Sequence, residues 1–207
     1  RPFPMTKVSW GGARNSKERY SDALTRAQCE AILKALSSMI AKDVPPNRFL
    51  TVHWEKLGLA PADCMSAISS FFRLARDWAR KRGHEIGWLW IRENDFGDGM
   101  KGEHVHILLH IPEPIIGEFT RRMTRRWLLR VAGGKYVKGA ARFDTIGPRA
   151  SDYRSAPEIY RENLGKLVVC YLLKGASKEV ARELALPRSN DGGRIVGKRW
   201  GRSQSLK

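Results

Sequence analysis

Two of the five histidines in this chain stand together as His104-Val105-His106, inside a run rich in β-branched and aliphatic residues that extends to Ile111. Strand side chains alternate, so both imidazoles share one face, about 6.6 Å apart along the strand, while Val105, Ile107, Leu109 and Ile111 take the other. Two rings at that spacing can converge on one divalent ion. His110 shares their face but lies about 13 Å beyond His106, too far for the same ion. A carboxylate would complete a set with open positions for a phosphate oxygen and water. Glu93, at the end of the preceding strand-like run, is the first candidate, whereas Glu103 has the wrong parity. Asp95 and Asp98 fall in the intervening loop and read equally as solvated turn residues. The plainer alternative makes both histidines ordinary polar positions on an exposed strand face.

A phosphoryl-transfer site also needs a nucleophile. Tyr171 and Lys174 are three residues apart in a helical pattern, which sets a phenol and an ammonium on neighbouring surface. A metal or cation nearby would favour the phenolate and offset charge on a pentavalent phosphorane. Against this, Tyr171 also fits an apolar stripe with Leu164 and Leu167.

These residues need elements to hold them. Thr25 and Gln28 form a capping-box pattern ahead of Cys29, Ile32, Leu33, Leu36 and Ile40, predicting an amphipathic helix over 25–42 that Pro45-Pro46 stops. Arg48 to Trp54 reads as a strand, and Pro61 opens a helix whose apolar stripe runs from Met65 to Ala79 before Gly83. The runs 86–93 and 103–111, joined by a glycine-rich loop, predict a β-hairpin. A helix over 115–132 carries Arg121, Arg122, Arg125, Arg126 and Arg130; a short strand follows at 142–146, then the Tyr171 helix from Pro157. A short helix is expected at 177–186. Residues 1–24 read as a basic arm, 25–176 as the main domain and 177–207 as a basic extension.

Charge points to the partner. The chain of 207 residues has a formal net charge of +17, and residues 113–207 carry +12 of it. One strongly basic half suggests a face held against phosphates and makes acidic small-molecule metabolism a poor first reading. Arg121, Arg122, Arg125 and Arg126 are the expected phosphate contacts, with Trp54, Trp88 and Trp90 as candidates for stacking on unpaired bases. Three separated cysteines without CxxC spacing suit a reducing, cytoplasmic setting. No apolar run reaches the roughly 18 residues of a membrane span, so no membrane partner is expected.

His104-Val105-His106, followed by Tyr171-Leu172-Leu173-Lys174 and preceded by Phe49-Leu50-Thr51, resembles the HUH endonucleases of the replication-initiator (Rep) class, over about 48–175. The order, with Tyr after the histidines, matches the Rep or transposase branch rather than the relaxases. The resemblance implies an α+β palm, about five antiparallel strands with helices packed on them. It implies Mg or Mn held by His104, His106 and an acidic residue, with Tyr171 as nucleophile. The implied activity is nicking and joining of single-stranded DNA or an origin hairpin through a 5′-phosphotyrosine link, starting rolling-circle replication of a plasmid or phage. No Walker-type motif is present, so a helicase would be a separate protein or a further domain. Competing readings are an HUH transposase, a nucleic-acid-binding module without chemistry, and a structural zinc site built from His104, His106 and a cysteine such as Cys170.

Overall fold

The Thr25 hydroxyl accepts from the Gln28 backbone N–H at 3.3 Å, and the Gln28 side chain accepts in return from the Thr25 N–H at 3.0 Å. This reciprocal cap starts α1 (Arg26–Ala41) and satisfies two otherwise orphaned donors. The structure, a computed structural model, describes residues 19–95, 102–147, 149 and 152–204. Ahead of α1 lies the two-residue β1 (Tyr20–Ser21); after it come β2 (Arg48–His53), α2 (Cys64–Arg80), β3 (Gly87–Asp95) and β4 (Gly102–His110). Then follow α3 (Glu113–Glu118), α4 (Thr124–Ala132), β5 (Ala141–Thr145), α5 (Asp152–Ser155), α6 (Pro157–Leu167), α7 (Lys178–Glu183), β6 (Ile195–Val196) and β7 (Trp200–Arg202).

The molecule is α+β, with one five-stranded sheet in the order β5-β2-β4-β3-β7, every neighbouring pair antiparallel. β1 and β6 form a separate two-stranded ribbon. No helix among the described residues is long and apolar enough to cross a membrane.

Apolar side chains on the two faces of the sheet build two cores. Leu50, Val52, Trp90, Val105, Ile107 and Leu109 pack against α2 and α4 through Ile68, Phe71, Trp78 and Trp127. Phe49, Leu89, Ile91 and Leu108 pack against α1, α6 and the turn that follows α6, through Ile32, Met39, Leu164 and Val168. The alternative of ordinary polar histidines on an exposed strand face does not hold. Leu108 alternates with His106 and His110 on that face, and with Leu89 and Ile91 opposite it an apolar patch forms that must be buried. Helices therefore cover both faces, and His104, His106 and His110 are all buried. His110 serves this packing: its Nδ1 lies 2.8 Å from the Pro45 carbonyl oxygen, to which it donates.

The fifth strand comes from the C-terminal segment, where only a basic extension and a short helix were expected. β7 pairs with β3. The buried guanidinium of Arg199 donates to Ser21 Oγ at 2.9 Å, to the Gly192 carbonyl at 3.2 Å, and to the carbonyls of Ser21 and Gly193. Arg92, also buried, donates to the carbonyls of Val196 and Lys198 at 2.8 and 3.0 Å while paired with Glu103. Two arginines thus fasten the segment to the sheet and to the N-terminal ribbon. Residues 1–18 of the expected basic arm lie outside the described residues, but its end is anchored, with Leu24 buried and its N–H bonded to the Gly175 carbonyl at 2.7 Å.

Charged hydrogen bonds of this kind contribute about 1.5–3 kcal/mol each. Arg199→Ala is therefore expected to lower unfolding stability by about 3 kcal/mol or more in urea titration, and to expose the chain after Leu186 to trypsin. An unchanged midpoint would show that the Arg199 clamp is not what holds this segment.

Candidate metal centre and groove

β4 is the central strand of the sheet. The ladder sets His104 directly opposite Glu93 of β3 and His53 of β2, and His106 opposite Ile91 and Thr51. Directly opposed residues in an antiparallel pair share a face, so Glu93, His104 and His106 meet. Their ligand atoms all lie within 4.8 Å of one another. The Glu93 Oε2 oxygen is 3.4 Å from Nε2 of both imidazoles. Donors bound to one ion at about 2.0–2.2 Å are separated by about 3 Å in octahedral and about 3.4 Å in tetrahedral geometry.

Hydrogen bonding prepares the rings for such an ion. His104 Nδ1 lies 3.0 Å from the Gly102 carbonyl oxygen. A carbonyl can only accept, so Nδ1 carries a proton and Nε2 is the ring atom turned toward Glu93. His106 Nδ1 is 3.0 Å from the Thr51 hydroxyl, again leaving Nε2 for the cluster. Nε2 of His106 and Oε1 of Glu93 are buried without a hydrogen-bond partner among the described residues. A buried ring nitrogen and carboxylate oxygen left without hydrogen-bond partners are costly unless a cation lies between them. The donor set and these orphaned atoms fit a metal ion.

Burial opposes ionising Glu93, but both histidines and the Lys174 ammonium outweigh it and hold its carboxyl well below the usual range. Burial also pushes the His106 pKa down, with Glu93 only partly offsetting it, so the ring is neutral as a ligand requires. Lys174 Nζ lies 2.7 Å from Glu93 Oε2. The sequence reading paired Lys174 with the Tyr171 phenol; its nearest charged neighbour is the carboxylate.

Tyr171 follows α6 on a widened turn, Val168–Leu172, marked by the Leu173 N–H bonding back five residues to the Val168 carbonyl at 2.9 Å. This π-type turn keeps Leu172 beneath Val168 in the core and leaves Tyr171 off the apolar seam, 50% exposed. Its ring centroid is 6.3 Å from that of His106 and 6.0 Å from that of Phe49, which stacks on His106. The phenol opens into a groove of about 680 Å³ lined by Thr51, His53, His104, His106, Arg142, Lys166, Lys174 and Arg188 among others.

The structure therefore brings together His104, His106, Glu93, Tyr171 and Lys174. It does not bring Arg121, Arg122, Arg125 or Arg126 to this groove, because their helix packs through Phe119, Trp127 and Leu128 on the opposite face of the sheet. Arg142, Lys166 and Arg188 are the cations that line it instead, along with Lys174. Cys170 lines the groove outside the ligand group. Trp54 and Trp90 are core residues and Trp88 is half-buried. His53, its ring 5.2 Å from that of His104, was missed because a lone histidine on a strand has no sequence partner until the register is known.

No family model matches the sequence, and comparison with curated proteins and with solved structures yields no match.

Two outcomes are expected. Manganese should raise the melting temperature of the wild type but not of His106→Ala or Glu93→Gln, and Thr51→Val should weaken manganese binding roughly tenfold by releasing the His106 ring. Without an ion, the native state binds fewer protons than the unfolded chain at both shifted groups. Stability should therefore fall as pH drops below the ordinary histidine value of 6.5, and again below the ordinary glutamate value of 4.5. Urea midpoints across this range, with the upper step reduced in His106→Gln, check the assignment.

Proposed function

We propose that this protein is a metal-dependent nickase and strand transferase acting on single-stranded DNA, with Tyr171 as the nucleophile. The observation that carries the reading is the meeting of a buried Glu93-His104-His106 group with an exposed phenol beside His106. A purely structural metal site has no need of an exposed phenol. The order of motifs, histidine pair before tyrosine, supports the replication-initiator branch of the HUH endonucleases and the start of rolling-circle replication as the setting.

In this reading the Tyr171 oxygen attacks the scissile phosphorus and its proton passes to water in the open groove. The bond from phosphorus to the 3′ oxygen breaks, the leaving oxygen takes a proton to become a 3′-hydroxyl, and the 5′-phosphate stays on the tyrosine. Joining reverses these steps with an incoming 3′-hydroxyl. Glu93, His104 and His106 would hold Mg or Mn, whose chemistry is polarisation of a phosphate oxygen and stabilisation of transition-state charge. Phe49, stacked on His106 and tilted against Tyr171, limits the positions of both rings. Arg188 offers the DNA backbone a cation, and Arg142 and Lys166, paired with Asp144 and Glu162 at the surface, can exchange those exposed partners for phosphates. Lys174 offsets charge near the reacting phosphate while remaining tied to Glu93.

Labelled single-stranded oligonucleotides incubated with manganese should give a protein–DNA adduct that survives denaturation. Tyr171→Phe should abolish the adduct, by at least about a thousandfold given the loss of the proposed attacking group, with oligonucleotide affinity within about twofold of wild type. An adduct retained in Tyr171→Phe rules out this nucleophile. Binding without any adduct across varied sequences would favour a nucleic-acid-binding module.

A further inference from the structure

A second groove, of about 530 Å³, lies on the opposite face of the sheet from the histidines, between α2 and the strands β3 and β7. Trp88 and Trp90 point to this side because they alternate with Leu89, Ile91 and Glu93. The aromatic floor consists of Phe72, Trp88 and Trp90, with Phe72 and Trp88 stacked at a centroid separation of 4.6 Å and an interplanar angle of 8°. Trp90 and Phe72 are buried, so Trp88 is the ring with surface to spare.

Cations surround that ring. Arg73, Arg76 and Arg80 recur at helical spacing on α2, Lys198 and Arg202 come from the C-terminal segment, and Glu85 is the one acidic lining residue among the described residues. Arg76 is within 3.3 Å of Asp77, whereas Arg73, Arg80 and Arg202 take part in no ion pair among the described residues. The Lys198 ammonium lies 5.8 Å from the Trp90 ring centroid.

The geometry points to a second nucleic-acid site here, one that takes a short single-stranded segment with a base against Trp88 and its phosphates on Arg73, Arg80 and Arg202. Several unneutralised cations beside a partly exposed indole are the combination that unpaired strands use: charge follows the backbone, and any base can present a π-face. A duplex hides its base faces and could use only the charges. An acidic peptide could use the charges as well, but leaves the indole without a role. The site lies across the full thickness of the sheet from Tyr171 and does not depend on the chemistry proposed there.

The test uses the wild-type chain in a chelator, so that binding is read without cleavage. A bromodeoxyuridine-substituted oligonucleotide is photo-crosslinked and the attached peptides are identified. Cross-links on the peptide containing Trp88 are expected. Arg73→Ala combined with Arg80→Ala should reduce the slope of log affinity against log salt by about 1.4 with unchanged melting temperature, and Trp88→Leu should weaken binding roughly tenfold at a temperature where its circular dichroism spectrum matches that of the wild type. Cross-links confined to the Tyr171 groove, equal sensitivity of duplex binding to Trp88→Leu, or displacement of the oligonucleotide from this groove by polyglutamate at matched charge would each overturn the proposal. Failure of adduct formation at Tyr171 with retained Trp88 cross-links would remove the nickase reading and leave this one standing.

Discussion

Glu93 and His104 face each other across the ladder of β3 and β4, and the rest of the site follows from that pairing. A slip of one residue would turn Glu93 to the α2 side and bring Arg92 to the histidines, replacing a carboxylate by a guanidinium. The register is protected on both faces. Trp90 must lie opposite Ile107 and Leu89 opposite Leu108, each in its own core, so the apolar pattern of the whole hairpin resists the slip. Arg92 adds a polar lock on the α2 side through Glu103 and two carbonyls of the C-terminal segment.

The end of the hairpin is thus polar on both sides of the sheet, and on each side buried polar atoms remain without a hydrogen-bond partner among the described residues. Arg92 and Glu103 form an ion pair with further hydrogen bonds, as a buried charge requires. On the other face Glu93 has Lys174 on one oxygen but leaves Oε1 and the neighbouring His106 Nε2 without hydrogen bonds among the described residues. Gly175 contributes to this closeness: a Cβ there would sit 3.3 Å from Glu93 Oε1 and equally close to the Cα of Gly192. Backbone, rather than a side chain that could donate a hydrogen bond, closes over Oε1.

Much of this was legible because local patterns coincide with elements. The capping box, the hairpin and the proline-initiated helices lie where spacing and turn residues put them, and strand parity separated Glu93 from Glu103 correctly. What escaped depends on long-range partners. Trp200–Arg202 is too short to show a period, and becomes a strand only because β3 offers an edge. The groove cations Arg142, Lys166 and Arg188 come from three separate segments, so no cluster marks them, whereas the conspicuous arginines of the 115–132 helix are held away by its aromatic anchors. Regular helical spacing would have kept Tyr171 in the stripe with Leu164; the widened turn that frees it has no clear signature in the residues themselves.

The sheet ends on β5 and β7, and both are built in a way that bears on solubility. β7 has three residues and β5 five, and β5 carries Arg142 and Asp144, paired with each other, along its length. Short edges with charge on them make poor templates for strand addition by another molecule. A chain with so many aromatic and aliphatic residues buried on both sides of a sheet is thereby guarded against edge-to-edge aggregation.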